Sequence, residues 1–202
     1  LQAGLLVAAI ALGALPSGLL GAAFLDTLGL RLIISGGLGV GALGLLLSIT
    51  AVATDTFALL VAGFVVTGLG LGGAFSVASS AIMGNAHPRK AGMAASVEEV
   101  SYEMGSLSAV AVLGSLLTFV YAFTVQLPNG SPDAARESLA DALAVADGNS
   151  EVIAAANTAF DTAYLVTMIV LGVVLAVGAG VTNRLLRAYG RNSQAMEFAE
   201  NH

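Results

Sequence analysis

Apolar residues run through this chain in long blocks rather than in stripes. Five blocks are long enough to cross a bilayer as helices, near 4–25, 31–53, 56–84, 93–125 and 160–187; such a crossing needs about 20 residues. Each block is rich in Ala, Gly, Leu and Val. Apolar–polar alternation over about ten residues, the mark of a transmembrane barrel strand, does not recur. A backbone in hydrocarbon must satisfy its own hydrogen bonds, and a helix does so within one segment. The pattern predicts an all-α polytopic membrane helix bundle of five transmembrane helices, with a polar connection at 126–159 and a tail at 188–202.

Composition agrees with the pattern. The 202 residues are 57% hydrophobic and only 10% charged, against about 25% charged in ordinary globular chains. Such a chain cannot cover a water-facing surface, and the lipid bilayer is its expected surrounding. The absence of cysteine excludes disulfides and thiolate metal sites. Seven basic residues, scattered, do not make a nucleic-acid surface. No His-rich metal spacing appears, and no serine or cysteine nucleophile has a neighbouring base, so neither a metal site nor an enzyme is expected. The opening "LQAGLL" has no Met and no basic n-region. A signal peptide is therefore not expected, and the chain reads as cut from a longer protein.

The basic residues orient the bundle. Arg31 lies between the first two blocks, Arg89 and Lys90 between the third and fourth, and Arg184, Arg187 and Arg191 after the fifth. In a five-span chain these places share one side. The other side holds Asp55 and the long connection, with Arg136 alone, a split of six to one. The positive-inside rule makes the first side, and the carboxyl terminus, cytoplasmic in a multi-pass protein of the cell membrane. The 126–159 connection carries Asp133, Glu137, Asp141, Asp147 and Glu151 and reads as a solvated outer loop. Ser131 and Pro132 signal the start of a short helix within it. An acidic mouth that gathers cations is the alternative. His87, beside Pro88, reads as a solvated turn histidine rather than a pH sensor.

Glycines supply the texture. Gly68, Gly70, Gly72 and Gly73 stand mid-block, as do Gly37 and Gly41. A dinucleotide fingerprint would need a preceding strand and a turn outside the membrane, so close helix packing is the better reading. Pro16, beside Gly18, predicts a kink in the first helix.

One charged cluster breaks the apolar fourth block: "SVEEVSYEMG", with Glu98, Glu99 and Glu103. A helix beginning near Met93 rises about 1.5 Å per residue, which puts Glu103 near the middle of a core about 30 Å thick. At about 100° per residue Glu99 and Glu103 share a face, whereas Glu98 points away and lies one turn from Tyr102. A charge at such depth costs about 2.5–3.5 kcal/mol on insertion scales. No Lys or Arg lies well inside any block to offset it. Burial and neighbouring negative charge both disfavour the ionised form. The acids are therefore expected to take a proton, a bound cation, or a partner from another part of the protein. Phe75, Tyr102 and Met104 are candidates for apolar and cation–π contact with such a cation.

The same residues carry a family resemblance. Residues 84–115, "GNAHPRKAGMAASVEEVSYEMGSLSAVAVLGS", resemble the penultimate helix of fourteen-helix drug:proton antiporters of the major facilitator superfamily, nearest the quaternary-ammonium and methyl-viologen exporters. Gly84, Asn85, Ala86, Pro88, Ala91, Gly92, Ala94, Ala95, Glu98 and Glu99 match the pattern, with Glu103 as a third acid. The resemblance implies the partial second half of such a transporter, with the amino-terminal half of the same protein missing. It implies export of lipophilic cations driven by the proton gradient, with no cofactor, and names Glu98, Glu99 and Glu103 for proton coupling and cation contact. "GAAFLDTLGLR" keeps Gly21, Asp26, Gly29 and Arg31 of the family's cytoplasmic gate signature, with Thr27 in place of its basic residue. A carrier for another solute, or a non-transporting membrane scaffold in which the acids are structural glue, are the rival expectations.

Overall fold

The computed structural model describes residues 2–54, 56–128 and 130–189, with the backbone alone at residues 2, 3, 22, 26, 188 and 189. Asp55, Arg191 and the tail beyond Tyr189 lie outside the described residues, as does the Asp26 side chain. Five helices carry the chain: α1 (Gln2–Ala53), α2 (Phe57–Gly84), α3 (Ala91–Thr124), α4 (Leu139–Val145) and α5 (Ser150–Leu185). No strand occurs among the described residues. Among the described residues, five stretches are long and apolar enough to cross a membrane: Gly4–Gly21, Thr27–Ala53, Phe57–Gly84, Pro88–Thr124 and Ser150–Leu185.

Two of these stretches belong to α1, and the break between them is one residue wide. Gly29 has φ 77° and ψ 155°, while helical geometry runs through Pro16. An L side chain is strained at such a φ, and glycine adopts it freely. Where the sequence suggested a loop between two helices, the backbone therefore turns at Gly29 without one. Non-helical dihedrals within α1 occur there and not at the proline; Ser17 beside Pro16 donates its hydroxyl to the carbonyls of Gly13 and Ala14.

The chain divides into two units, one formed by residues 1–99 with 171–202, the other by residues 100–170. In the first unit α2 is gripped on opposite faces by the two limbs of α1. The cause is the glycine spacing. At about 100° per residue, glycines two apart point in nearly opposite directions. Gly68 and Gly72 meet the first limb, against Ile10 and Ala14. Gly63 and Gly70 meet the second, against Gly44, Ser48, Gly37 and Gly41. A methyl group on Gly37 would stand 2.5 Å from the Gly70 carbonyl oxygen, and one on Gly63 2.8 Å from that of Gly44. Nothing larger than hydrogen fits, so backbones touch. In hydrocarbon, where apolar burial gives little drive, this van der Waals contact and interhelical hydrogen bonding hold helices together. Thr67 adds its hydroxyl, which donates to Gly63 O at 2.9 Å and lies 3.4 Å from Gly41 O across the contact. Leu45, Ser48 and Val77 are fully buried around this seam. The later part of α5 lies against the second limb, with Gly172 near Leu45 and Gly178 near Leu38. An apolar groove of about 410 Å³ remains between the limbs and α2, lined by Pro16, Phe24, Leu28, Ile33, Gly36 and Gly70 among others.

The second unit has its own small core. Tyr121 and Val125 bury against Ala135, Ala142, Ala156, Ala159 and Ala163. The Tyr121 hydroxyl donates to the Ala135 carbonyl at 3.0 Å and so fixes the connection to the end of α3. The connection is thus folded, with Asp133, Glu137, Asp141, Asp147 and Glu151 all exposed on it. The expected helix start at Ser131 and Pro132 yields only a 3₁₀ turn, Asp133–Arg136; α4 begins after Ser138, whose hydroxyl accepts from the Asp141 amide. The last helix begins ten residues before the expected position near 160. Asp147 and Gly148 take positive φ, and the Asn149 side chain then accepts from the Glu151 amide, an N-cap that starts α5 at Ser150. Hydropathy marks where a helix becomes apolar, not where it starts, and this one begins well before its apolar stretch.

Candidate functional site

The acidic helix opens with a defined cap. His87 precedes the 3₁₀ turn Pro88–Lys90, and its Nδ1 accepts a hydrogen bond from the Arg89 amide at 3.3 Å. Pro88 has no amide hydrogen to leave unpaired at this first position. The turn leads directly into α3, so the histidine that the sequence left as a plain solvated residue has a capping contact, though it is exposed. Ser96 returns its hydroxyl to the Gly92 carbonyl at 2.9 Å, which keeps it from competing for other partners in the first turns.

Glu98, Glu99 and Glu103 all lie on α3, one uninterrupted helix. Glu98 is half-buried, Glu99 and Glu103 exposed. Taking Glu98 as zero, about 100° per residue places Tyr102 at about 40°, Glu99 at about 100° and Glu103 at about 140°. The three acids and Tyr102 thus fill a little over a third of the helix circumference. Met104 falls about 100° beyond Glu103, on the far side from Tyr102. The helix therefore brings Tyr102 and the acids to neighbouring positions but sets Met104 apart from them. Phe75 is exposed on α2.

The exposure pattern is the chief feature of this site. Residues 99–112 of α3 are exposed one after another. Only 6% of the span Pro88–Thr124 is buried, against 33% of Phe57–Gly84. The exposed surface includes Val97, Val100, Leu107, Val110 and Val112, more than half accessible each. Among the described residues, no ion pair or hydrogen bond holds the glutamate side chains. Among the described residues, the basic side chains within the spans are Arg31, Arg89, Lys90 and Arg184, none deeper than the fifth residue from a span end. Among the described residues no group of His, Asp and Glu is placed to hold a metal.

The gate-signature residues separate in the structure. Gly21 is a packing residue: a methyl group on it would lie 3.2 Å from the Gly73 carbonyl oxygen. Gly29 is the backbone break. Arg31 donates from Nε to Asn183 Oδ1 at 2.8 Å, a tie between α1 and the last turn of α5. Asn183 was not singled out from the sequence; its only signal there is an amide closing a long apolar block. Sequence reading also passed over Asp161, an exposed acid within α5.

Comparison with known proteins places this arrangement. The family model described as Major Facilitator Superfamily matches residues 1–128. A multidrug efflux pump, LfrA of Mycolicibacterium smegmatis, is 34% identical over 137 residues, covering 61% of this chain and 27% of the pump. Methyl viologen resistance protein SmvA of Salmonella typhimurium is 30% identical over 182 residues, covering 80% of this chain and 35% of that protein. The chain thus spans between a quarter and about a third of the length of these curated relatives. No solved structure matches it. With a matching family model over more than half its length and an all-helical, five-span architecture, the chain belongs to the major facilitator superfamily, a superfamily of membrane transporters rather than enzymes.

Proposed function

We propose that this chain is a carboxyl-terminal part of a proton-coupled multidrug efflux antiporter that exports lipophilic cations, with the rest of the transporter supplied by the amino-terminal half of the same protein. The observation that carries the reading is the placement of Glu98, Glu99 and Glu103 on one apolar helix, with no basic side chain among the described residues deeper than the fifth residue from a span end. The relatives add support: one is named for multidrug efflux and another for resistance to methyl viologen, an organic dication.

The mechanism follows from competition. A carboxylate in hydrocarbon needs a positive guest, and one site takes either a proton or an organic cation. Binding one expels the other, which is antiport. Tyr102 and Phe75 offer aromatic faces for the guest, and Met104, about 100° round the helix from Glu103, an adaptable apolar contact on its far edge. Alternating access rocks one half of such a fold against the other around a midplane site, so the proton gradient serves as the energy source and no cofactor is required. Gly29 and Arg31, with Asp26, belong to the gate end of this design. The six-to-one basic split supports a cytoplasmic carboxyl terminus in a cell-membrane protein.

The test is cation binding as a function of pH in the protein carrying this chain. Protonation removes the negative partner, so affinity for a lipophilic cation falls as pH drops from 8 to 5.5. Glu99→Gln with Glu103→Gln abolishes both the pH dependence and resistance in cells. Flat binding over that range rejects proton–cation competition. Transport of a neutral or anionic solute with no cationic substrate moves the assignment to another carrier class.

A further inference from the structure

Basic side chains collect at one end of the first unit. Arg31 stands five residues into the span Thr27–Ala53, Arg89 and Lys90 open Pro88–Thr124, Arg184 closes Ser150–Leu185, and Arg187 follows in the turn Leu186–Tyr189. Two of these places are physically joined. Arg31 Nε donates to Asn183 Oδ1 at 2.8 Å, and the turn Leu186–Tyr189 packs on α1. The Arg31–Asn183 bond uses Nε and leaves the two terminal nitrogens of the guanidinium to other acceptors. Arg184 and Arg187 are exposed, and among the described residues no carboxylate pairs with any of the three.

Beside these arginines the surface is bare hydrocarbon. Leu185 is 73% exposed, Leu32 58% and Leu28 46%. Guanidinium groups next to exposed leucines, at the very ends of membrane spans, match the two parts of a phospholipid: phosphate above, acyl chain below. An acidic peptide would satisfy the arginines but has no acyl chain to lie along the leucines. A guanidinium fork engages phosphate oxygens in pairs, and the ends of apolar spans lie at headgroup level. We propose that Arg31, Arg184 and Arg187 form a docking site for the headgroup of an anionic phospholipid, held in register by the Arg31–Asn183 hydrogen bond.

The experiment is lipid competition on the protein carrying this chain, purified in detergent. Equal amounts of phosphatidylglycerol and phosphatidylcholine are added, and the lipid retained is counted by native mass spectrometry. The expected result is preferential retention of phosphatidylglycerol. Arg184→Ala with Arg187→Ala weakens that retention by about 25-fold, at about fivefold per basic residue near an anionic lipid. Arg136→Ala, in the other unit, leaves it unchanged. If the double variant does not fold, Arg187→Gln alone tests the same point, with a fall of about fivefold. Millimolar inorganic phosphate does not displace the lipid, because it offers nothing to the leucines; complete displacement would show a free-phosphate site and overturn the lipid assignment. Equal retention of the two lipids, or a double variant that retains phosphatidylglycerol as the unmodified protein does, overturns it as well.

Discussion

Helices α2 and α3 are both long and apolar, yet they stand in opposite situations. A third of the α2 span is buried, and 6% of the α3 span. The difference lies in where each helix keeps its small residues and its charge. Gly63, Gly68, Gly70 and Gly72 of α2 sit where a methyl group would run into a neighbouring backbone. Gly92, Gly105 and Gly114 of α3 have nothing within 4 Å. The three glutamates are on α3, and α2 has no charged residue. One helix is a structural spine, specified by what cannot be enlarged. The other is an open chemical surface, specified by what it carries.

The largest expected effect breaks the spine. Gly70→Val drives a branched side chain into the backbone at Gly37 and Gly41. Overpacking of this kind costs about 1–3 kcal/mol and more where backbone must move, so thermal unfolding in detergent moves sharply down or the protein fails to accumulate. Gly105→Val, on the open helix, leaves unfolding nearly unchanged. Equal losses at the two positions would erase the distinction between the helices.

Next comes the break in α1. Gly29→Ala places a side chain at φ 77°, ψ 155°, a strain of about 1–3 kcal/mol. Gly36→Ala, also within α1 and with nothing within 4 Å, is neutral or stabilising by up to about 1 kcal/mol, the helix-propensity gain of alanine over glycine. Melting curves of the two variants should move in opposite directions. A smaller effect is expected in the second unit. Tyr121→Phe removes the donor to the buried Ala135 carbonyl, at about 1–1.5 kcal/mol for a lost hydrogen bond. Amide exchange at residues 133–146 should quicken more than exchange in α2.

The sequence revealed these contrasts unevenly, for physical reasons. Apolar runs announce membrane helices because hydrocarbon demands them, and the all-α bundle was legible on that ground alone. The glycines of α2 were legible as packing residues, but the division between Gly68 with Gly72 and Gly63 with Gly70 was not, since it depends on which limb lies on which side. Helix ends outside the apolar runs were missed: Asn149 starts α5 through its side chain, a local signal that hydropathy does not register. The Arg31–Asn183 tie joins residues far apart in sequence and leaves no local trace. The glutamates were legible because charge within an apolar helix is conspicuous. Their surroundings were not, because what covers a helix is set by other parts of a fold.

The smallest expected effect on stability is also the sharpest test of the open helix. Glu99→Gln and Glu103→Gln keep side-chain shape and remove the titrating group. Both side chains are exposed, and no hydrogen bond or ion pair among the described residues depends on them. Surface changes of this kind lie within about 0.5 kcal/mol, and loss of a charge from an apolar helix acts, if anything, in the stabilising direction. Unfolding of the double variant should therefore match that of the unmodified protein, while the pH dependence of cation binding disappears. If the acids were instead glue between helices, the double variant would melt early and keep its resistance. Measuring melting and cation binding on one preparation separates the two outcomes, because in each reading one quantity moves and the other stays.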